Sequence, residues 1–372
     1  MRGVRLASFG EGDPHSRLEV RDDLLVPPLN PSTNDVLVRV EATSVNPIDL
    51  AMRKGYARKI LFRARAKESP MTLGFDCVGT VVQTGKSAWS FKVGDRVWGS
   101  TSLFRDGCNA EYVLVEEPAL AQAPANLTSV KAAALPTAAV AAWKALVESG
   151  QLGPVGSPSP LNPSATTDRQ RVFINGDSDG VGVIALQLLK HYGHHASAVC
   201  SAPNVPKFTQ LIDAGGGEVI DHTREPDWAA RLAGEGKEYD VLLDTVGTDE
   251  AEAQCVKLLK RGGKYLSLRP LVLDLIHEHG PFMGAMKGWW SIVKKQVEMK
   301  KEKDVLVNYV TCGPDGKVRR LVEEGVIRPD VDRVFDDLAQ LPEAHALLER
   351  GEARGKVVIK VQDPLTAAAA AH

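Results

Sequence analysis

The spacing of apolar residues divides the chain into stretches of different character. Within residues 1–125, Asp35–Ala42, Val78–Gln83, Asp95–Gly99 and Ala110–Val115 read as short strands, with glycine turns around the second and third. Asp35–Ala42 alternates apolar and polar positions, the period of a half-buried strand. From residue 171 the pattern changes. Arg171–Asn175 is a short β-branched run, and Ala196–Cys200, Gly217–Asp221, Tyr239–Asp244 and Gly263–Leu268 follow at intervals that leave room for crossover helices. That alternation predicts a doubly wound parallel sheet. The closing run Lys356–Val361 returns to the character of the first stretch. The expectation is therefore an α/β chain with a discontinuous β-rich domain, residues 1–130 and 320–372, and an inserted domain of residues 131–319. Between them, Lys131–Ser149 is alanine-rich and helical, with Pro136 near its first turns. Residues 151–170, rich in Pro, Ser, Gly, Asn and Thr, read as a flexible linker. The alanine-rich end reads as a frayed tail.

The stretch Val172–Lys190 carries the first chemistry. A buried strand runs into a turn punctuated by Gly176, Gly180 and Gly182, and Val183, Leu186, Gln187, Leu188 and Lys190 suit an amphipathic helix. Strand, glycine turn and helix aim free N–H groups and the positive end of the helix dipole at a phosphate. Gly176, Ser178, Asp179, Gly180, Val181 and Gly182 are the candidate cradle. The end of the next strand speaks to the choice of cofactor. NAD sites usually carry an acidic residue there for the ribose 2′-hydroxyl. This chain has Cys200-Ser-Ala-Pro-Asn-Val-Pro-Lys207, so Ser201, Asn204 and Lys207 are candidates to receive a 2′-phosphate, and NADPH is the expected cofactor. A solvated surface role for Lys207 is the plain alternative.

Composition narrows the partners. With 372 residues, 44% hydrophobic content and a net charge of −2, the chain gives no reason to expect nucleic acid or an anionic membrane as its main partner. No apolar run reaches the length of a membrane span. The five cysteines are scattered, with no CxxC pair, which suits a reducing compartment. The N-terminus runs almost at once into strand-like sequence, so the expected location is cytoplasmic, with mitochondrial as the alternative.

Five segments occur in an order that resembles a known family. They are Ser44–Asp49, Gly74–Gly79, Phe91–Trp98, Asn175–Gly182 and Ala353–Ile359. Together they are similar to the zinc-independent quinone oxidoreductase branch of the medium-chain dehydrogenase/reductase superfamily. The C-terminal part, with Gly313-Pro314 and Leu348–Lys356, is most similar to its mitochondrial NADPH oxidoreductases and their fungal relatives. The resemblance covers nearly the whole chain. It implies a GroES-like β-rich catalytic domain, an inserted Rossmann domain, and often a homodimer. It also implies no metal. Zinc-dependent relatives carry a cysteine where this chain has Asn46 and a His-Glu pair where it has Phe75-Asp76, and a catalytic zinc needs about three such ligands.

The same resemblance places Asn46 and Asp49 near the nicotinamide and makes Tyr56 a candidate proton donor, with a packed loop tyrosine as the alternative. His222 falls where relatives have a tyrosine beside the adenosine, Val246 and Gly247 match the turn near the nicotinamide ribose, and Lys356 matches a position close to the cofactor. The implied reaction is hydride transfer from NADPH to a small, hydrophobic, electrophilic acceptor, a quinone or an α,β-unsaturated carbonyl.

Two departures keep other functions open. Asp177 and Asp179 replace an alanine and a glycine of the family turn. A carboxylate about 5 Å from a phosphate costs about 3 kcal/mol at an effective dielectric near 20, and Asp179 could cap the helix itself. Either binding is only weakened, or the protein is a non-catalytic binding protein on the same fold. A trans-acting enoyl-thioester reductase is the other alternative. Finally, Gly284–Lys303 mixes aromatic and basic residues. Packing of Trp289 and Trp290 at a domain or subunit interface is the expectation, with a substrate lid or contact with a quinone-holding membrane as the alternative.

Overall fold

The computed structural model describes residues 1–56, 58, 71–159, 161–176, 180–212, 217–303, 306–309 and 317–361. The chain divides into two compact units. One comprises Met1–Thr137, Gly313–Glu324 and Pro329–His372, and the other Ala138–Cys312 and Gly325–Arg328.

The first unit is built on the strand Asp35–Val45, buried along nearly all of its eleven residues. It pairs antiparallel with Asp76–Thr84, Tyr112–Glu116 and the late strand Lys356–Lys360. The seven-stranded sheet continues through Arg96–Ser100 to Leu120–Gln122 on one side and ends at Val331–Phe335 on the other. The register decides what meets. Val358, Ser44, Asp76 and Ser100 lie opposite one another on four adjacent strands. Cross-strand partners share a face of the sheet, so the polar side chains of Ser44, Asp76 and Ser100 are gathered on one side of it. Lys356 stands two residues before Val358 and Asn46 two after Ser44, which puts both on that same side.

The strand Asp35–Val45 runs directly into the helix Pro47–Lys54. Pro47 takes the first helical position, where its missing N–H costs nothing. The Asp49 carboxylate accepts from the Asn46 backbone N–H at 2.8 Å, and Gly55 ends the helix at φ 107°, a left-handed conformation that glycine adopts without strain.

The alanine-rich segment is not one helix. Ser129–Ala133 stops, Pro136–Trp143 begins afresh at its proline, and a π-helical turn Lys144–Ser149 follows. Proline has no N–H to continue the first helix and is well suited to start the second.

In the second unit six parallel strands lie in the order Val219–Asp221, His195–Cys200, Arg171–Asn175, Tyr239–Asp244, Leu259–Ser267, Leu306–Tyr309. Numbered along the chain this is 3-2-1-4-5-6, with the order reversing beside Arg171–Asn175, where such sheets take their ligands. Phe173 on that strand stacks on Trp228, with ring centroids 5.2 Å apart. Among its described residues the expected flexible linker has no helix or regular strand, yet it is tied down. Leu152 is buried, Thr166 donates its backbone N–H to the Gln151 carbonyl at 2.8 Å, and the Asn162 amide donates to the Val147 carbonyl at 2.6 Å.

Candidate functional site

In the first unit the register gathers a buried polar cluster around Asp76, a residue that the motifs did not mark as functional. Its Oδ1 accepts from the Ser100 hydroxyl at 3.1 Å, the Thr137 backbone N–H at 2.8 Å and the Thr137 hydroxyl at 2.6 Å. Its Oδ2 accepts from the Ser44 hydroxyl at 2.7 Å and the Asn46 side-chain amide at 2.9 Å. The Lys356 ammonium lies 3.5 Å from the same oxygen. Asp76, Asn46, Asp49 and Lys356 are all buried.

The cluster fixes Asn46 from both ends. The amide nitrogen donates to Asp76, and the amide oxygen accepts from Lys356. The ammonium of Lys356 is surrounded by three acceptors, the Val45 carbonyl at 3.3 Å, the Asn46 oxygen and Asp76. Its three N–H bonds are thus matched within the protein, and what it does most directly is orient Asn46. Asp49 stands beside the cluster. It accepts from the Asn46 and Gly74 backbone N–H groups at 2.8 and 2.9 Å. Burial, with the nearby charge of Asp76 adding to it, pushes its carboxyl up to about 7 against the pull of those two donors and of Lys356. Tyr56 follows the helix Pro47–Lys54 and packs, partly buried, against the apolar core of this unit.

An acidic residue opening an otherwise apolar strand, Asp76 in Asp76-Cys-Val-Gly-Thr-Val-Val, is the signal that could have exposed the hub. A buried carboxylate persists only when its lone pairs are met. Here five hydrogen bonds and one cation meet them, which leaves little of Asp76 for a metal ion. Among the described residues no group of three His, Cys, Asp or Glu is arranged to hold one.

In the second unit the candidates gather at the carboxyl ends of the central strands. Gly176 ends the strand Arg171–Asn175. A Cβ there would run into the side chain of Thr245, whose backbone N–H donates to the Asn175 carbonyl at 2.9 Å. Gly180 caps the helix Val181–Tyr192 at φ 102° with no side chain to fill the anion position. Val181 and Gly182 are buried in the first turn of that helix, and first-turn N–H groups lack partners within a helix. Gly176, Gly180, Val181 and Gly182 could thus take a pyrophosphate. Ser178 and Asp179, together with Asp177, lie outside the described residues.

Below this turn a second buried carboxylate holds the loops. Asp244 Oδ1 accepts from the Asn175 side-chain amide at 2.9 Å and the Val246 N–H at 3.0 Å, and Oδ2 from the Gly247 N–H at 3.2 Å and the Tyr265 hydroxyl at 2.6 Å. Burial and the charge of Asp244 push the Tyr265 phenol well up, so it stays a donor. Val246 and Gly247 are thus brought beside Asn175 and Gly176. Sequence reasoning placed Val246 and Gly247 but missed Asn175, Asp244 and Tyr265 as their support.

At the next strand the Asn204 amide donates to the Ser201 hydroxyl at 3.1 Å, and Lys207 follows in the helix Val205–Leu211. The His222 backbone N–H donates to the Cys200 carbonyl at 3.1 Å, which sets the exposed His222 beside Ser201 at the ends of neighbouring strands.

A glycine turn at the first strand of a 3-2-1-4-5-6 sheet, inserted into a β-rich unit that both termini build, defines the fold of a medium-chain dehydrogenase/reductase. The comparisons agree. The alcohol dehydrogenase GroES-like domain family matches residues 32–125, and the zinc-binding dehydrogenase family matches residues 214–359. NAD(P)H oxidoreductase RTN4IP1, mitochondrial, of Danio rerio is 32% identical over 344 residues, covering 89% of this chain and 84% of that protein. Its namesake from Dictyostelium discoideum is 28% identical over 371 residues, covering 96% and 99%. The structure of the quinone oxidoreductase from Coxiella burnetii superposes with a TM-score of 0.74 at 26% identity, covering 97% of this chain and 99% of that one. The chain belongs to the NAD(P)H oxidoreductase RTN4IP1 family of the medium-chain dehydrogenase/reductase superfamily, and it is an oxidoreductase that uses a nicotinamide cofactor.

Proposed function

We propose that this oxidoreductase uses NADPH to reduce a small, hydrophobic, electrophilic acceptor, a quinone or an α,β-unsaturated carbonyl, without a metal ion. The observation that carries the cofactor choice is the hydrogen-bonded pair Ser201 and Asn204 at the end of the second strand, with Lys207 one turn on. A hydroxyl, an amide and an ammonium suit a 2′-phosphate, whereas the carboxylate of NAD sites would repel it. The bound nicotinamide supplies the hydride. The protein's part is to cradle the pyrophosphate on Gly176, Gly180 and Gly182, to fix the turn Val246-Gly247 through Asp244, and to hold a rigid polar wall of Asn46, Asp49 and Lys356. Tyr56 or water supplies the proton.

The metal-free reading rests on donor chemistry. The residues that replace zinc ligands are an amide locked between Asp76 and Lys356 and a carboxylate already matched by five donors. An acceptor that is electrophilic without a Lewis acid follows from that. The relatives' names support a mitochondrial location.

The test is a titration of NADPH and NADH into the pure protein, followed by consumption of the reduced nicotinamide with 1,4-benzoquinone and trans-2-hexenal. Saturable NADPH binding, weaker NADH binding and turnover of one acceptor are expected. No binding at millimolar concentration, or a preference for NADH, refutes the reading.

A further inference from the structure

The helix Pro281–Lys303 is turned inside out. Its glycines face the protein. Gly284 is buried where any Cβ would run into the backbone of Leu275 and Ile276 in the preceding helix Leu271–His279, and Gly288 is buried one turn later. Lys295 also turns inward, 2.7 Å from both carboxylate oxygens of the buried Glu252. Six bulky apolar residues face water. Phe282 is 80% exposed, Trp289 64% and Trp290 66%, and Met283, Met286 and Val297 are exposed with them. At about 100° per residue these six fall within an arc of about 120°, and they run roughly 22 Å along the helix. The two indole rings stack 5.9 Å apart and 3° from parallel. An outward stripe of this kind marks a contact surface.

The charges on its border identify what it contacts. Lys287 and Lys294 flank the stripe on one side, both exposed, with Lys294 3.8 Å from Glu298 one turn on, and no Asp or Glu occurs from residue 279 to residue 297. A second copy is a poor match. An antiparallel two-fold pairing centred near the tryptophans would bring Lys287 of one molecule close to Lys294 of the other, with only Glu298 beside Lys294 to offset them along that border. A negatively charged bilayer answers both features. Indole and phenyl rings settle at the boundary between headgroups and acyl chains, and lysines at the border reach the phosphates. No helix among the described residues is long and apolar enough to cross a membrane, so the contact lies in the surface plane.

We propose that the outward face of this helix docks the protein onto anionic phospholipid. The proposal does not depend on which acceptor the enzyme reduces. Its test is co-sedimentation of the full chain with phosphatidylcholine vesicles, with and without about one-third phosphatidylserine. Binding to the anionic vesicles that weakens with salt is expected. The double variant Trp289→Ser/Trp290→Ser should lower partitioning at least tenfold, and Lys287→Glu/Lys294→Glu should remove the preference for anionic lipid. Both variants should keep the parent's thermal melting and its rate of NADPH consumption in solution, since neither pair lies in the cofactor site. Three results would overturn the proposal: no vesicle binding by the parent, undiminished binding by the tryptophan variant, or a dimer in sedimentation velocity that the tryptophan variant dissolves while vesicles bind neither protein.

Discussion

Removing the charges of Asp76 and Lys356 together should cost less than the sum of removing each alone. The carboxylate and the ammonium are both buried and lie 3.5 Å apart. At an effective dielectric near 20 their attraction is about 5 kcal/mol. Asp76→Asn keeps the volume but deprives Lys356 of its nearest countercharge, and it points an N–H₂ at hydroxyls and an amide that now donate to oxygen. Breaking one side of a buried pair typically costs about 3–5 kcal/mol. Lys356→Met leaves the carboxylate its five hydrogen bonds, so it should cost less, about 2–3 kcal/mol. In the double variant neither ion is stranded, and a coupling of about 2–5 kcal/mol should appear as a double variant more stable than the sum of the singles. Native-state hydrogen exchange of peptides from Asp35–Val45 and Asp76–Thr84 reads this unit directly, because these strands form its buried centre. A coupling below about 0.5 kcal/mol would mean that the two charges act independently. The polar wall of Asn46 and Lys356 would then not be organised by Asp76, and the reasoning would fail.

Four further outcomes follow from the two sites. Asp49, held at about 7 in the folded protein against an ordinary value of 3.8, takes up a proton on folding between those values. Stability of the first unit should therefore fall as pH rises from about 4 to about 7, and Asp49→Asn should flatten that slope in pH-dependent unfolding. Ser201→Asp places a carboxylate where the 2′-phosphate is expected, and at about 5 Å the repulsion is about 3 kcal/mol. NADPH affinity should fall at least tenfold and NADH affinity should hold; an equal loss of both would sink the cofactor assignment. Tyr265→Phe removes one donor from the buried Asp244 and should cost about 1.5–3 kcal/mol, measured by urea unfolding, with weaker cofactor binding as the Val246-Gly247 turn loosens. Gly176→Ala should abolish cofactor binding in the same titration, because the added methyl meets Thr245.

The difference between what could be read from the chain and what could not is the range of the interactions involved. The strand Arg171–Asn175, its glycine turn and the helix after it were legible because each is specified within a few residues by β-branching, a missing side chain and a 3.6-residue period. Asn46-Pro-Ile-Asp49 is local in the same way, a cap and its partner three residues on. Asp76 was not legible as a hub. Its partners Ser44, Asn46, Ser100, Thr137 and Lys356 are spread over more than three hundred residues of chain, and only the register of four strands, with the start of the helix Pro136–Trp143, brings them together. A slip of one residue would turn Asp76 away from all of them. The helix Pro281–Lys303 shows the same limit from the other side. Its tryptophans and lysines were visible in the sequence, but helical spacing alone cannot say which face meets the protein. Gly284 decides it, because the backbone of Leu275 and Ile276 approaches too closely for any other residue. Replacing Gly284 with leucine should therefore push the two helices apart and destabilise the pair, while the same change at Gly280, where a Cβ meets nothing within 4 Å, should cost only the strain of its positive φ.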